Sequence, residues 1–225
     1  MIMSEITNSE YLEALKNCQL FYGFNESELA SAIQFLDGRI KKYSAGEFIL
    51  LIGDAFLRAG VVLKGKIESS FQNESFDQIS MHRFGRGYLF GEALVCNEIE
   101  ESPVQVTAVT DSVVLFVDLK RIYSDASSSP LQFRLAENMI KSLSKKNMIL
   151  NQKVRILSQK ALRDRVLVYL GTLKKDKDGF VKIPFTQTAL AEHLGVNRSA
   201  LSRELGRMQN EGVLIYNDDK LKLNI

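Results

Sequence analysis

Cysteine and histidine are scarce in this chain, with two of each among 225 residues. Cys18 and Cys96 cannot supply the four thiolates of an iron–sulfur cluster. They cannot build a disulfide framework either, and they suit a reducing cytoplasm as inert thiols. His82 and His193 form no paired metal-ligand motif, so neither a metal site nor haem is expected. There is no P-loop and no nucleophile elbow, and an enzyme is not expected. No long uncharged apolar run exists to make a transmembrane helix. The first ten residues lack the basic-then-apolar pattern of a signal peptide. A cytoplasmic protein without a membrane partner is the expectation. Hydrophobic residues at 45% and charged residues at 25% are ordinary for a globular chain long enough for two domains.

The net charge is only +2, but it is uneven. Residues 158–225 carry twelve Lys/Arg against eight Asp/Glu, while the rest of the chain is slightly acidic. The C-terminal part is therefore the one suited to a polyanion.

That part holds the most informative pattern, two short helices joined at Gly195. Ala189, Leu190 and Leu194 are small or apolar on the first. Leu201, Leu205 and Met208 make an apolar stripe on the second. Thr186 and Asn197 stand at the two N-cap positions. Gly195 suits the left-handed backbone of a tight inter-helix turn. This is a helix-turn-helix, and Arg198, Ser199, Ser202 and Arg203 open its second helix as a separate polar arc. Major-groove readers place their base-contacting residues there. Arginine offers a fork to guanine O6/N7, and serine bonds bases or phosphates. Thr186 and Gln187, opening the first helix, are expected at phosphate.

At these residues the sequence resembles the CRP/FNR family of bacterial transcription regulators, and the resemblance extends over nearly the whole chain. It implies double-stranded DNA, a second copy of the chain and RNA polymerase as partners. Ser199 stands where the family commonly carries Glu, whose carboxylate would accept from cytosine N4. Weaker discrimination is expected at the base pair facing Ser199.

Upstream, residues 10–35 read as short helices, with Leu12, Leu15, Leu29, Ile33 and Leu36 at helical spacing. Over 39–118 the pattern turns to short apolar or alternating runs split by turn residues, an antiparallel sandwich or barrel. The resemblance implies that this is the family's cyclic-nucleotide-binding β-roll, jelly-roll-like, with turns at Gly46, Gly53, Gly65 and Gly91. Pro130 then opens a heptad of Phe133, Ala136, Ile140, Leu143, Asn147, Leu150, Val154 and Leu157. Its alternating steps of three and four predict a parallel two-stranded coiled coil with Asn147 at an a position, fixing register. A break at 158–160 reads as a hinge. A helix over 161–173, a strand over 180–185 and a hairpin around 217–219 complete a winged helix-turn-helix. The expected fold class is α+β. A sensing β-roll with N-terminal helices spans 1–128, a dimerisation helix 129–157 and the DNA-binding domain 158–225.

In family members that bind cyclic AMP, a Phe-Gly-Glu turn is followed about ten residues on by Arg-Ser or Arg-Thr. The resemblance implies that the Glu bonds the ribose and the Arg the cyclic phosphate. Phe90-Gly91-Glu92 is present here, but Ser102-Pro103 occupies the other place. A phosphate desolvated without a cation is costly, so tight cyclic AMP binding is not expected. An unidentified small-molecule effector is. Gly91, Glu92, Ala93 and Ser102 are its candidate residues, with Leu150 and Asn151 added by analogy. The competing expectation is a small-molecule or redox sensor acting through protein contacts, with no operator preference.

Overall fold

A computed structural model describes residues 9–72, 78–124, 129–184, 186–217 and 220–224. The chain divides into two compact units, one ending at Leu143 and the other beginning at Ser144.

The first unit opens with helix α1 (Ser9–Asn17), a 3-10 turn (Gln19–Phe21) and helix α2 (Glu26–Phe35). Asn25 caps α2 in a reciprocal capping box with Glu28, satisfying two of the helix's orphan donors. Eight strands follow: β1 (Arg39–Tyr43), β2 (Phe48–Leu50), β3 (Ala59–Lys64), β4 (Ile67–Gln72), β5 (Gln78–Phe84), β6 (Leu89–Phe90), β7 (Gln105–Ala108) and β8 (Ser112–Val117). They form two antiparallel sheets ordered β1-β8-β3-β6 and β2-β7-β4-β5, the antiparallel sandwich expected from the residue pattern and the β-roll that the resemblance implies. A short helix α3 (Glu92–Cys96) follows β6, and helix α4 (Arg121–Ser124) follows β8.

Strand β8 reads as one apolar run because it is buried on both faces. Leu115 meets Ile33 of α2 around Gly38, where an added Cβ would lie 2.5 Å from Ile33 and 3.2 Å from Leu115. Phe116, one residue on, points to the opposite face. It joins Phe56 and Phe90 with centroid separations of 6.2 and 6.5 Å. Phe84 and Tyr88 extend this aromatic cluster, stacked at 4.4 Å.

The long helix α5 (Pro130–Leu157) runs across the boundary between the units. Ser129 caps it through the Gln132 N–H, and Pro130 occupies the first turn, where a missing N–H costs nothing. In the first unit its inner face is partly polar. Buried Asn138 donates to Leu20 O (3.1 Å) and Tyr22 O (3.0 Å), carbonyls of the 3-10 turn region. Buried Gln132 donates to Ile122 O at 3.0 Å. Arg134 pairs with Glu28 at 2.8 Å, and its guanidinium lies 4.3 Å over the Phe24 ring. These bonds join α5 to the helices before and after the roll.

The second unit holds the remainder of α5, helices α6 (Leu162–Thr172), α7 (Gln187–His193) and α8 (Arg198–Asn210), and strands β9 (Val181–Lys182), β10 (Leu214–Asn217) and β11 (Lys220–Leu223). The sheet order is β10-β11-β9, antiparallel. The strand expected over 180–185 is thus shorter, covering 181–182, and its last residue lies outside the described chain. Residues 218–219 of the expected hairpin tip, and 125–128 before α5, also lie outside it. Ile156, Val166, Tyr169, Leu170, Leu201, Leu205 and Met208 share the core of this unit. It is a winged helix-turn-helix.

Candidate nucleic-acid interface

Helix α7 begins at Thr186, whose hydroxyl accepts from the Ala189 N–H at 3.3 Å. Its C-terminus is closed by two bonds, Val196 N–H to Ala191 O (3.0 Å) and Gly195 N–H to Glu192 O (3.1 Å). This is the Schellman arrangement. It places Gly195 in the left-handed region at φ +69°, as the sequence predicts. Asn197 then caps α8, accepting from the Ala200 N–H at 2.7 Å. Leu190, Leu194, Leu201 and Leu205 are buried between the helices. Burial of this stripe fixes which arc of α8 faces water.

Thr186, Gln187, Arg198, Ser199, Ser202 and Arg203 are all exposed, and all lie at or near the N-termini of α7 and α8. The charges on α8 are divided sharply. Midway along it Glu204 pairs with Arg163 (3.0 Å) and Arg207 (3.3 Å). Glu211, beyond the helix, pairs with Arg163 at 2.6 Å. Arg198 has no ion-pair partner among the described residues. Arg203 donates from Nε to Ser199 O at 3.3 Å, which anchors its side chain along the helix, and its terminal nitrogens have no ion-pair partner among the described residues. The Ser199 hydroxyl donates to Asn197 Oδ1 at 3.2 Å.

Sequence reasoning misses two residues that build this site. Arg163 of α6 takes both carboxylates near the end of α8. Arg165 donates to Leu194 O (3.1 Å) in the turn and to Gln159 O (2.9 Å) in the predicted hinge. Only their place on α6, one turn from the apolar stripe, hints at either. His193 is half-buried against the Tyr169 ring, 5.3 Å between centroids. Burial first, and then the positive charge of Lys153, hold its pKa below the usual imidazole value.

The effector candidates fall in two places. Gly91, Glu92 and Ala93 open α3 in the first unit, with Gly91 at φ +74° and Glu92 buried. Ser102 is buried in the loop after α3. Its hydroxyl donates to Val104 O at 2.7 Å, and its backbone bridges Gly53 and Asp54. Leu150 and Asn151 belong to the second unit and are exposed on α5, where the Asn151 amide donates to the Asn147 side chain.

Along the predicted seam of α5, Phe133, Ile140, Leu143, Leu150, Val154 and Leu157 are exposed, Phe133 by 73% and Ile140 by 65%. Asn147 is exposed beside them. Ala136 is half-buried against the core of the roll.

Residues 40–124 match the cyclic nucleotide-binding domain family, and residues 164–224 match the Crp-like helix-turn-helix domain family. No curated protein matches this sequence. Solved structures share its fold at low identity. CprK in complex with OCPA superposes with TM-score 0.61 at 18% identity, covering 89% of this chain and 92% of that one. The c-di-GMP responsive global regulator CLP of Xanthomonas campestris gives 0.56 at 20%, covering 86% and 98%. FixK2 of Bradyrhizobium japonicum gives 0.50 at 16%, covering 84% and 93%. With a cyclic-nucleotide-binding roll followed by a Crp-like helix-turn-helix, this chain belongs to the CRP/FNR family of DNA-binding transcription regulators.

Proposed function

We propose that the protein acts as a homodimer on an inverted-repeat operator, with an affinity set by a small molecule held in the β-roll. The observation that carries the DNA reading is the division of charge on α8. Among the described residues its exposed N-terminal arginines have no carboxylate partner, while the carboxylates at its middle and beyond its end, Glu204 and Glu211, are taken by Arg163 and Arg207. Two such helices related by a dimer axis would enter successive major grooves about 34 Å apart. Arg198 and Arg203 then read bases or phosphates, Ser202 adds a secondary contact, and Thr186 and Gln187 meet phosphate. Ser199 spends its one proton on Asn197, so toward DNA its oxygen accepts. That suits the amino groups of cytosine or adenine, with less discrimination than a carboxylate.

The dimer reading is supported by the apolar stripe on α5, which a lone chain leaves in water. Pairing it through Asn147 gives a parallel two-stranded seam. RNA polymerase is the further partner that the family implies.

For the effector, the place of the family's phosphate-binding arginine is held by Ser102, whose hydroxyl is committed to Val104. Cyclic AMP therefore lacks its cation. One similar structure is that of a c-di-GMP responsive regulator and another is complexed with OCPA, which supports an effector other than cyclic AMP. A ligand in the roll must bind the DNA-competent state better than the other.

The test is equilibrium binding to a selected operator over a range of salt, with sedimentation to count chains. A steep loss of affinity with salt, in a complex of two chains per duplex, is expected. Binding that ignores both salt and sequence contradicts the proposal.

A further inference from the structure

Strand alternation puts Arg39, Lys41 and Tyr43 on one face of β1. The loop between β2 and β3 brings Phe56, Leu57 and Arg58 against that face, and Phe116 of β8 closes the floor. A pocket of about 280 Å³ results, lined by these residues and Ile49. Its floor is aromatic, with Phe116 meeting Tyr43 at 6.4 Å and Phe56 at 6.2 Å, both edge-to-face. Its rim is cationic. Of the lining residues three are basic and none is acidic. Lys41 Nζ lies 5.9 Å over the Phe116 ring.

The two arginines are held from behind. Asp37, a non-glycine residue at φ +47°, accepts from Arg58 at 2.5 Å and from Arg39 at 3.0 Å. Its backbone carbonyl accepts a second bond from Arg58 at 2.7 Å. A left-handed aspartate is uncommon, and such positions persist where the surroundings over-determine them. One carboxylate balances one of three cations, so the rim keeps an excess of positive charge over an apolar floor.

We infer that this pocket binds a small organic anion with a flat apolar body, its carboxylate, sulfonate or phosphate at the Arg39–Lys41–Arg58 rim and its body on Phe56 and Phe116. A neutral apolar ligand would leave the cations unanswered, and a bare inorganic anion would leave the ring floor in water. Pre-ordered guanidiniums lower the entropy cost of meeting the anion. None of the lining residues is among the candidates Gly91 to Ala93 and Ser102, although Phe56 of the floor packs on Gly91, and the inference does not depend on the DNA reading.

The test titrates the full-length protein with naphthalene-2-carboxylate and with its neutral counterpart naphthalene-2-methanol, followed by probe fluorescence and calorimetry. Saturable binding is expected for the anion, and about tenfold weaker binding for the alcohol, since a charge-assisted bond is lost. Lys41→Gln and Leu57→Asp change exposed positions and should leave the melting temperature unchanged while weakening the anion several-fold. Added salt should weaken it too. Equal affinity for acid and alcohol, affinity indifferent to both variants, or no saturation below about 10 mM would each overturn the inference.

Discussion

The ring of Phe56 lies directly on Gly91. A Cβ added to that glycine would stand 2.0 Å from Phe56 Cε1. Gly91 is also at φ +74°, where side chains are strained. Gly91→Ala should therefore displace a ring that stacks on Phe90 at 6.0 Å. A loss of about 2–4 kcal/mol is expected from overpacking plus backbone strain, read as a fall in the urea midpoint. The double variant with Phe56→Ala should cost less than the sum of the singles. Strict additivity would show that the two residues do not meet.

Asn138 is the second point of sensitivity. Its buried amide serves the carbonyls of Leu20 and Tyr22. Asn138→Leu leaves both without that donor. The expected cost is about 1–3 kcal/mol per orphaned group, measured by thermal unfolding. Hydrogen exchange should localise the damage to the first unit.

In the recognition helix, Asn197 has two tasks, capping Ala200 and holding the Ser199 hydroxyl. Asn197→Ala should cost about 1 kcal/mol of stability and also change the base preference opposite Ser199. Asn197→Asp keeps the acceptor and should restore both. An altered stability with unchanged base preference would remove Ser199 from the reading surface.

Arg203→Ala should cost about 1–3 kcal/mol of operator binding and relax one base pair per half-site. Arg207→Ala, whose guanidinium pairs with Glu204, should cost much less. Competition binding against single-base operator variants distinguishes them. A uniform loss across all sequences would make Arg203 a phosphate contact.

His193 gives a pH dependence with a definite sign. Its pKa is lowered in the folded unit, so the unfolded chain takes up the proton first as pH falls. Stability is unaffected well above the unfolded value of about 6.5 and declines as pH drops through it, levelling below the folded pKa. Urea midpoints between pH 7.5 and 5.5 should fall less in His193→Gln than in the wild type.

Much of the second unit is legible in the sequence, because its signals are local. The caps at Thr186 and Asn197, the turn glycine Gly195 and the stripe Leu201–Leu205–Met208 each act within a few residues. The roll is legible as strands and turns, but not in its pairing order, which depends on contacts between strands far apart in the chain, such as Arg39 with Phe116. Helix α5 shows the limit more clearly. Its heptad draws attention to one apolar stripe, while the opposite face buries Gln132 and Asn138, polar residues that a hydrophobic pattern passes over. They are inside because they answer backbone carbonyls. Arg163 and Arg165 stay invisible for the same reason, since their partners come from α8 and the interhelix turn. The cover of Phe56 over Gly91 joins residues from different loops and has no sequence signal.

The most direct test of the account is selection of binding sites from random duplex DNA by the purified protein, with and without cell extract, alongside Arg203→Ala. An enriched inverted repeat is expected, with half-sites about one helical turn apart and one base pair per half-site blurred by the variant. Absence of any enriched repeat under both conditions would contradict it.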